Sequence, residues 1–144
     1  MKKVVIIGSG FAGLSAATFI AKAGYDVTLL EKNSTPGGRG RQLSENGYTF
    51  DMGPSWYWMP DIFERYFNAF GKKVSDYYQL ERLSPSYRIY WNDSEMDIPS
   101  DYNELKALFE KVEPGSSIEL DKFMNEATYK YEVGVNKLIH KPGQ

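Results

Sequence analysis

Gly8, Gly10 and Gly13 stand in the run Gly8-Ser9-Gly10-Phe11-Ala12-Gly13, a spacing suited to holding a pyrophosphate on main-chain N–H groups. Gly8 permits a sharp turn, Gly10 lets a phosphate approach the backbone, and Gly13 lets a helix lie close to a sheet. The anion then meets free N–H groups at the positive end of a helix dipole, so no basic side chain is required. Eighteen residues past Gly13 stands Glu31, a carboxylate placed to accept ribose hydroxyls and to repel a 2′-phosphate. NADP is therefore the dinucleotide least favoured. The competing reading of the same glycines is an ordinary strand-turn-helix connection.

Such groups need particular elements around them. Lys3 to Ile7 is β-branched with no polar alternation, the pattern of a parallel strand buried on both faces. Residues 14–23 read as the crossover helix, with Lys22 in its last turn and Gly24 as its stop. Residues 27–31 return as a second parallel strand through a right-handed crossover. The expected class is α/β, opening on a Rossmann-like βαβ unit. The loop at residues 32–41 carries Pro36-Gly37-Gly38-Arg39, which bares the backbone and offers the Arg39 guanidinium to a phosphate; a solvated basic loop fits it equally. Asn46-Gly47 is a turn pair ahead of a short strand, Tyr48 to Asp51. Small side chains follow at residues 51–55, where a flat ring can lie against the backbone.

Farther along, Pro60 and Gly71 bracket a helix whose apolar face is Ile62, Phe63, Tyr66, Phe67 and Phe70. Aromatic residues crowd the stretch between Tyr48 and Trp91, a density that serves either a pocket for a long apolar molecule or a core. Residues 87–91 and 96–98 flank a polar turn and read as a hairpin. Asp101, with Glu104 at capping-box spacing, starts a helix that Pro114-Gly115 stops after about Val112. A last helix begins at Ser116 or Ser117 and runs nearly to Ile139, ended by Pro142-Gly143.

A formal net charge of -2 gives no electrostatic reason to expect nucleic acid as a partner. Without cysteine there is no disulfide, thiol nucleophile or Cys-based metal site, and His140 reads as a loop residue with no ligand partners. Lys2-Lys3, an apolar stretch and Ala21-Lys22-Ala23 imitate a secretory signal, but the glycines interrupt its apolar core. No segment reaches the length of a membrane span, and a cytoplasmic location is expected.

Three segments together carry a resemblance: the glycine run with Glu31-Lys32, then Pro36-Gly37-Gly38-Arg39, then Gly47-Tyr48-Thr49-Phe50-Asp51-Met52-Gly53-Pro54-Ser55. In these the chain resembles the N-terminal part of bacterial phytoene desaturases, FAD-dependent carotenoid desaturases and isomerases of the flavin amine-oxidase-like superfamily. The resemblance implies FAD as cofactor. It places Gly8, Gly10 and Gly13 at the pyrophosphate, with Phe11 and Ala12 in the same loop. Glu31 falls at the adenosine ribose with Lys32 beside it, Arg39 by the phosphates, and Gly38 where the loop passes close to FAD. Met52, Gly53 and Pro54 fall near the isoalloxazine, with Asp51 anchoring their loop.

The family's reaction removes hydrogens from an isoprenoid polyene while flavin accepts a hydride, with oxygen or a quinone as final acceptor. Its substrate comes from the membrane, which implies peripheral membrane association for the full-length protein. Such enzymes are several times longer. The expectation is thus an incomplete FAD-binding segment at residues 1–85 and the start of a substrate domain at residues 86–144, inactive alone. An open sheet edge would favour self-association. No residue stands out as acid, base or nucleophile, which agrees with a flavin that carries the hydride chemistry. Two alternatives stay open: another oxidoreductase of the same superfamily, and a nucleotide-binding module without catalysis.

Overall fold

The computed structural model describes residues 1–54 and 56–139. Ser55, His140 and the Pro142-Gly143 stop lie outside the described residues. The chain forms two compact units, Met1–Gln79 and Leu80–Gln144.

The first unit opens with β1 (Lys3–Ile7), α1 (Phe11–Lys22) and β2 (Asp26–Leu30). The strands pair in parallel, with Val4 opposite Val27 and Ile6 opposite Leu29. These four half-buried side chains share the face under α1, where Ile6 approaches Gly13. Burial on both faces does not occur. Val5 and Ile7, on the other face, are 60% and 86% exposed, because α1 covers only one side of the pair and no other described element packs on the second.

Helix α1 begins at Phe11 and not at residue 14, and Leu14 N–H already donates to the Gly10 carbonyl at 2.9 Å. The second half of the glycine run is thus the first helical turn. Gly13 sits inside it because a Cβ there would stand 1.9 Å from the Gly8 carbonyl oxygen. Close approach, and not helix breaking, is what that glycine provides.

After a 3₁₀ turn at Gly38–Gly40 come β3 (Gln42–Glu45) and β4 (Tyr48–Asp51), an antiparallel hairpin. Asn46 and Gly47 take φ of 52° and 83° at its tip, the left-handed pair that matches strand twist. Strand β3 has no apolar pattern of its own and is set by that turn. Helix α2 (Pro60–Asn68) starts on Pro60. Its aromatic face packs on α1: the Phe63 ring meets Phe11 edge-on at 6.0 Å, the Tyr66 and Thr18 hydroxyls are 3.0 Å apart, and Phe70, just past the helix end, lies 5.0 Å from Phe19. Val74, in a further 3₁₀ turn, is buried.

In the second unit, β5 (Tyr87–Tyr90) and β6 (Glu95–Ile98) form a hairpin closed by Trp91 N–H on the Ser94 carbonyl at 2.8 Å. Arg88 donates twice to the facing Asp97, at 2.5 and 2.7 Å. Helix α3 (Tyr102–Val112) follows, capped by Asp101. Helix α4 (Ser116–Val133) widens into a π-helical turn at Gly134–Leu138. Asp121 of α4 accepts from the Tyr102 hydroxyl at 2.7 Å and from Lys106 at 2.5 Å, tying α3 to α4. Ile98 and Val135 are the buried apolar residues among the described residues of this unit. No helix among the described residues is long and apolar enough to cross a membrane.

Candidate dinucleotide-binding site

The site is built where three backbone segments meet. Gly8 turns the chain off β1 with φ of +97°, and its N–H reaches the Leu30 carbonyl at 2.7 Å. Nothing lies within 4 Å of where its Cβ would stand, so the space beside it is open. A Cβ on Gly38 would come within 3.1 Å of Gly10 Cα, so the two backbones are in contact, and Gly37 N–H donates to the Ser9 carbonyl at 2.8 Å. The third segment joins through Gly53, where a Cβ would stand 1.9 Å from the Arg39 carbonyl oxygen, and through Met52 N–H on the Arg41 carbonyl at 3.0 Å.

Helix α1 points its N-terminus at this junction with no side-chain cap and no acidic residue in its first turn. The N–H groups of Phe11, Ala12 and Gly13 find no backbone acceptor among the described residues. An anion would satisfy such donors.

Glu31, just past β2, closes the other side. Its Oε2 accepts the Ser9 N–H at 2.8 Å and the Ser9 hydroxyl at 2.6 Å. Its Oε1 accepts the Asn33 N–H at 2.9 Å and Asn33 Nδ2 at 2.7 Å. The Ser9 hydroxyl above all, then the Asn33 and Ser9 amides, draw the Glu31 pKa down to about 2 against the opposing effect of burial. Because the folded value is depressed, the stability this carboxylate contributes is present above its ordinary value of 4.5 and is lost as pH falls toward 2. At neutral pH it is fully ionised. Around it lies a cleft of about 360 Å³ lined by residues 7–10, residues 30–33 and Gly38.

Of the residues singled out in the sequence, Gly8, Gly10, Glu31, Lys32 and Gly38 wall this cleft. Gly13 lies behind it, against Gly8. Ala12 is exposed on α1. The Phe11 ring turns away, packs on Gly40, and with Leu14, Phe63, Tyr66 and Phe67 lines a second, apolar cleft of about 390 Å³ between α1 and α2. Arg39 is exposed and joins the junction through its carbonyl. Met52 and Pro54 are also exposed, with the Met52 sulfur 3.4 Å from Arg41 Nε, and neither they nor Gly53 line the glycine cleft. Asp51 accepts from Gln42 Nε2 across the hairpin at 3.1 Å. Sequence reasoning missed the side chains of Ser9 and Asn33. The signal available was two short polar residues beside the positions a carboxylate would share with a glycine loop.

Open space at Gly8, free first-turn N–H groups and an ionised carboxylate at the end of β2 fit a dinucleotide. Fold and site together define a Rossmann-type dinucleotide-binding protein, and residues 6–72 match the model of the NAD(P)-binding Rossmann-like domain. The chain is 46% identical over 139 residues to the carotenoid 3,4-desaturase of Haloarcula japonica, covering 96% of this chain and 28% of that protein. It is 42% identical over 132 residues to the 4,4'-diapophytoene desaturase (4,4'-diaponeurosporene-forming) of Staphylococcus aureus, covering 91% and 26%. The chain belongs to the carotenoid desaturase family and corresponds to its N-terminal portion. It spans about a quarter of the length of these curated relatives. Among solved structures it is similar to the PF1083 protein from Pyrococcus furiosus, with a TM-score of 0.48 and 25% identity over 77% of this chain and 29% of that one.

Proposed function

We propose that the chain is the FAD-binding part of a carotenoid desaturase-like oxidoreductase that removes hydrogens from an isoprenoid polyene. The observation that carries this reading is the convergence of the Gly8 turn, the uncapped start of α1 and the ionised Glu31 on one cleft, in a chain 46% identical to a carotenoid desaturase. FAD, when bound, supplies the acceptor for a hydride. The pyrophosphate would lie on the backbone of Gly8, Gly10, Phe11, Ala12 and Gly13, and the adenosine ribose by Glu31 with Lys32 at its edge. Gly38 would let the second loop approach, Arg39 would offer its exposed guanidinium to a phosphate, and Met52, Gly53 and Pro54 would lie toward the isoalloxazine.

In the same proposal residues 1–85 form the FAD-binding segment and residues 86–144 open the substrate domain. The 144 residues alone are inactive. Oxygen or a quinone reoxidises the flavin, and the longer protein takes its polyene at a membrane surface from the cytoplasmic side.

The test is titration of the purified chain with FAD and, separately, NAD, followed by flavin fluorescence and melting. Selective binding of FAD stabilises the fold by about 2.7 kcal/mol at a hundredfold excess over Kd, and Tm rises accordingly. Preference for NAD, or binding of neither, overturns the claim that these residues suffice as an FAD site.

A further inference from the structure

Ser9 is only 2% exposed, and its three polar groups are all engaged, by two other segments of the chain. Its N–H and hydroxyl donate to Glu31 Oε2, and its carbonyl accepts from Gly37. Asn33 is exposed, and both its N–H and its side-chain amide donate to Glu31 Oε1. A carboxylate offers about four lone-pair sites, and four donors already occupy them. A ribose hydroxyl can therefore bond to Glu31 only by displacing one of these donors. The buried Ser9 would be left without a partner if it yielded, which costs a full desolvation penalty; the Asn33 amide would find water instead.

We propose that Ser9 is the positioning residue for ribose recognition, fixing Glu31 from behind, and that the Asn33 side chain holds the place the ribose hydroxyl takes. The inference rests on the FAD reading above. Binding of the ribose exchanges the Asn33 amide for a hydroxyl at Oε1 while Ser9 keeps Oε2, so the carboxylate stays oriented throughout and little reorganisation is needed. The two substitutions should act in opposite directions, which a merely structural role would not produce.

The experiment measures FAD affinity for the 144-residue chain and the variants Ser9→Ala, Asn33→Ala, Glu31→Gln and the Ser9→Ala/Glu31→Gln double variant, with circular dichroism to show that each is folded. Ser9→Ala is expected to weaken binding about tenfold, the effect of losing one charge-assisted hydrogen bond. Asn33→Ala should bind at least as tightly as the unaltered chain. In the Glu31→Gln background the loss of Ser9 should have no further effect, because Ser9 acts through Glu31.

A pH profile gives a second readout. Lys32 is the one ionisable side chain beside Glu31 in the cleft lining. With Ser9 replaced, Glu31 loses its principal donor and titrates nearer its ordinary 4.5, so affinity falls between about pH 6 and 4 while the unaltered chain holds. Equal affinity for Ser9→Ala and the unaltered chain at both ends of that range overturns the inference, as does an Asn33→Ala loss as large as that of Ser9→Ala. Should the unaltered chain bind no FAD, the claim that these residues suffice as an FAD site fails by itself. The Glu31 side-chain carbon titration in the ligand-free chain then decides for Ser9: an upward midpoint on Ser9→Ala supports its hold on Glu31, and an unmoved one refutes it.

Discussion

Gly53 has no room for a side chain. A Cβ there would stand 1.9 Å from the Arg39 carbonyl oxygen, and this is backbone that cannot swing aside as a long side chain would. Gly53→Ala is therefore expected to destabilise the chain by about 1–3 kcal/mol through overpacking, read by thermal or urea denaturation, and to weaken FAD binding because the third segment leaves the junction. Gly47→Ala is the contrast. Its Cβ would enter open space, and only the left-handed φ of +83° opposes it, at about 1–2 kcal/mol and with FAD affinity unchanged. At this scale the meeting of Gly8, Gly10 and Glu31 in one cleft was legible, since it follows from their spacing along the chain. Phe11 was not: its place in the glycine run says nothing of where its ring goes, and the ring goes to the aromatic face of α2.

Element boundaries were legible where the signals that set them are local. Helix α3 begins one residue after Asp101, whose carboxylate accepts the N–H groups of Asn103 at 2.9 Å and Glu104 at 3.0 Å. Asp101→Ala should cost that helix about 1 kcal/mol, seen as faster hydrogen exchange of the α3 amides, and Asp101→Asn should restore most of it. Pro60 and the Asn46-Gly47 pair set their elements in the same way. The start of α1 escaped sequence reading because the whole glycine run reads as turn, whereas Phe11, Ala12 and Gly13 already form the first helical turn. Strand β3 escaped because its residues, Gln42 to Glu45, carry no pattern and are paired only by the hairpin turn.

At the scale of the molecule, the β1–β2 pair leaves Val5 and Ile7 exposed beside Leu30, which is 50% exposed, on the face that α1 does not cover. Apolar side chains on a two-stranded parallel pair with open edges invite pairing with another copy. Sedimentation velocity over rising protein concentration should show association, and Val5→Lys, placing a charge on that face, should shift the population toward monomer. A monomer at all concentrations would refute this.

By itself the sequence determined the order strand, glycine turn, helix, strand, the Asn46-Gly47 turn with the strand after it, the later hairpin and the family, because β-branched runs, turn pairs, caps and glycine spacing act over a few residues of chain. Only the tertiary structure decided that one face of the first strand pair stays bare, that Phe11 leaves the glycine cleft, and that Ser9 holds Glu31 from 22 residues away. Those outcomes depend on which surfaces meet once the helices pack, and a short polar residue in a glycine loop does not by itself show which carboxylate it will hold.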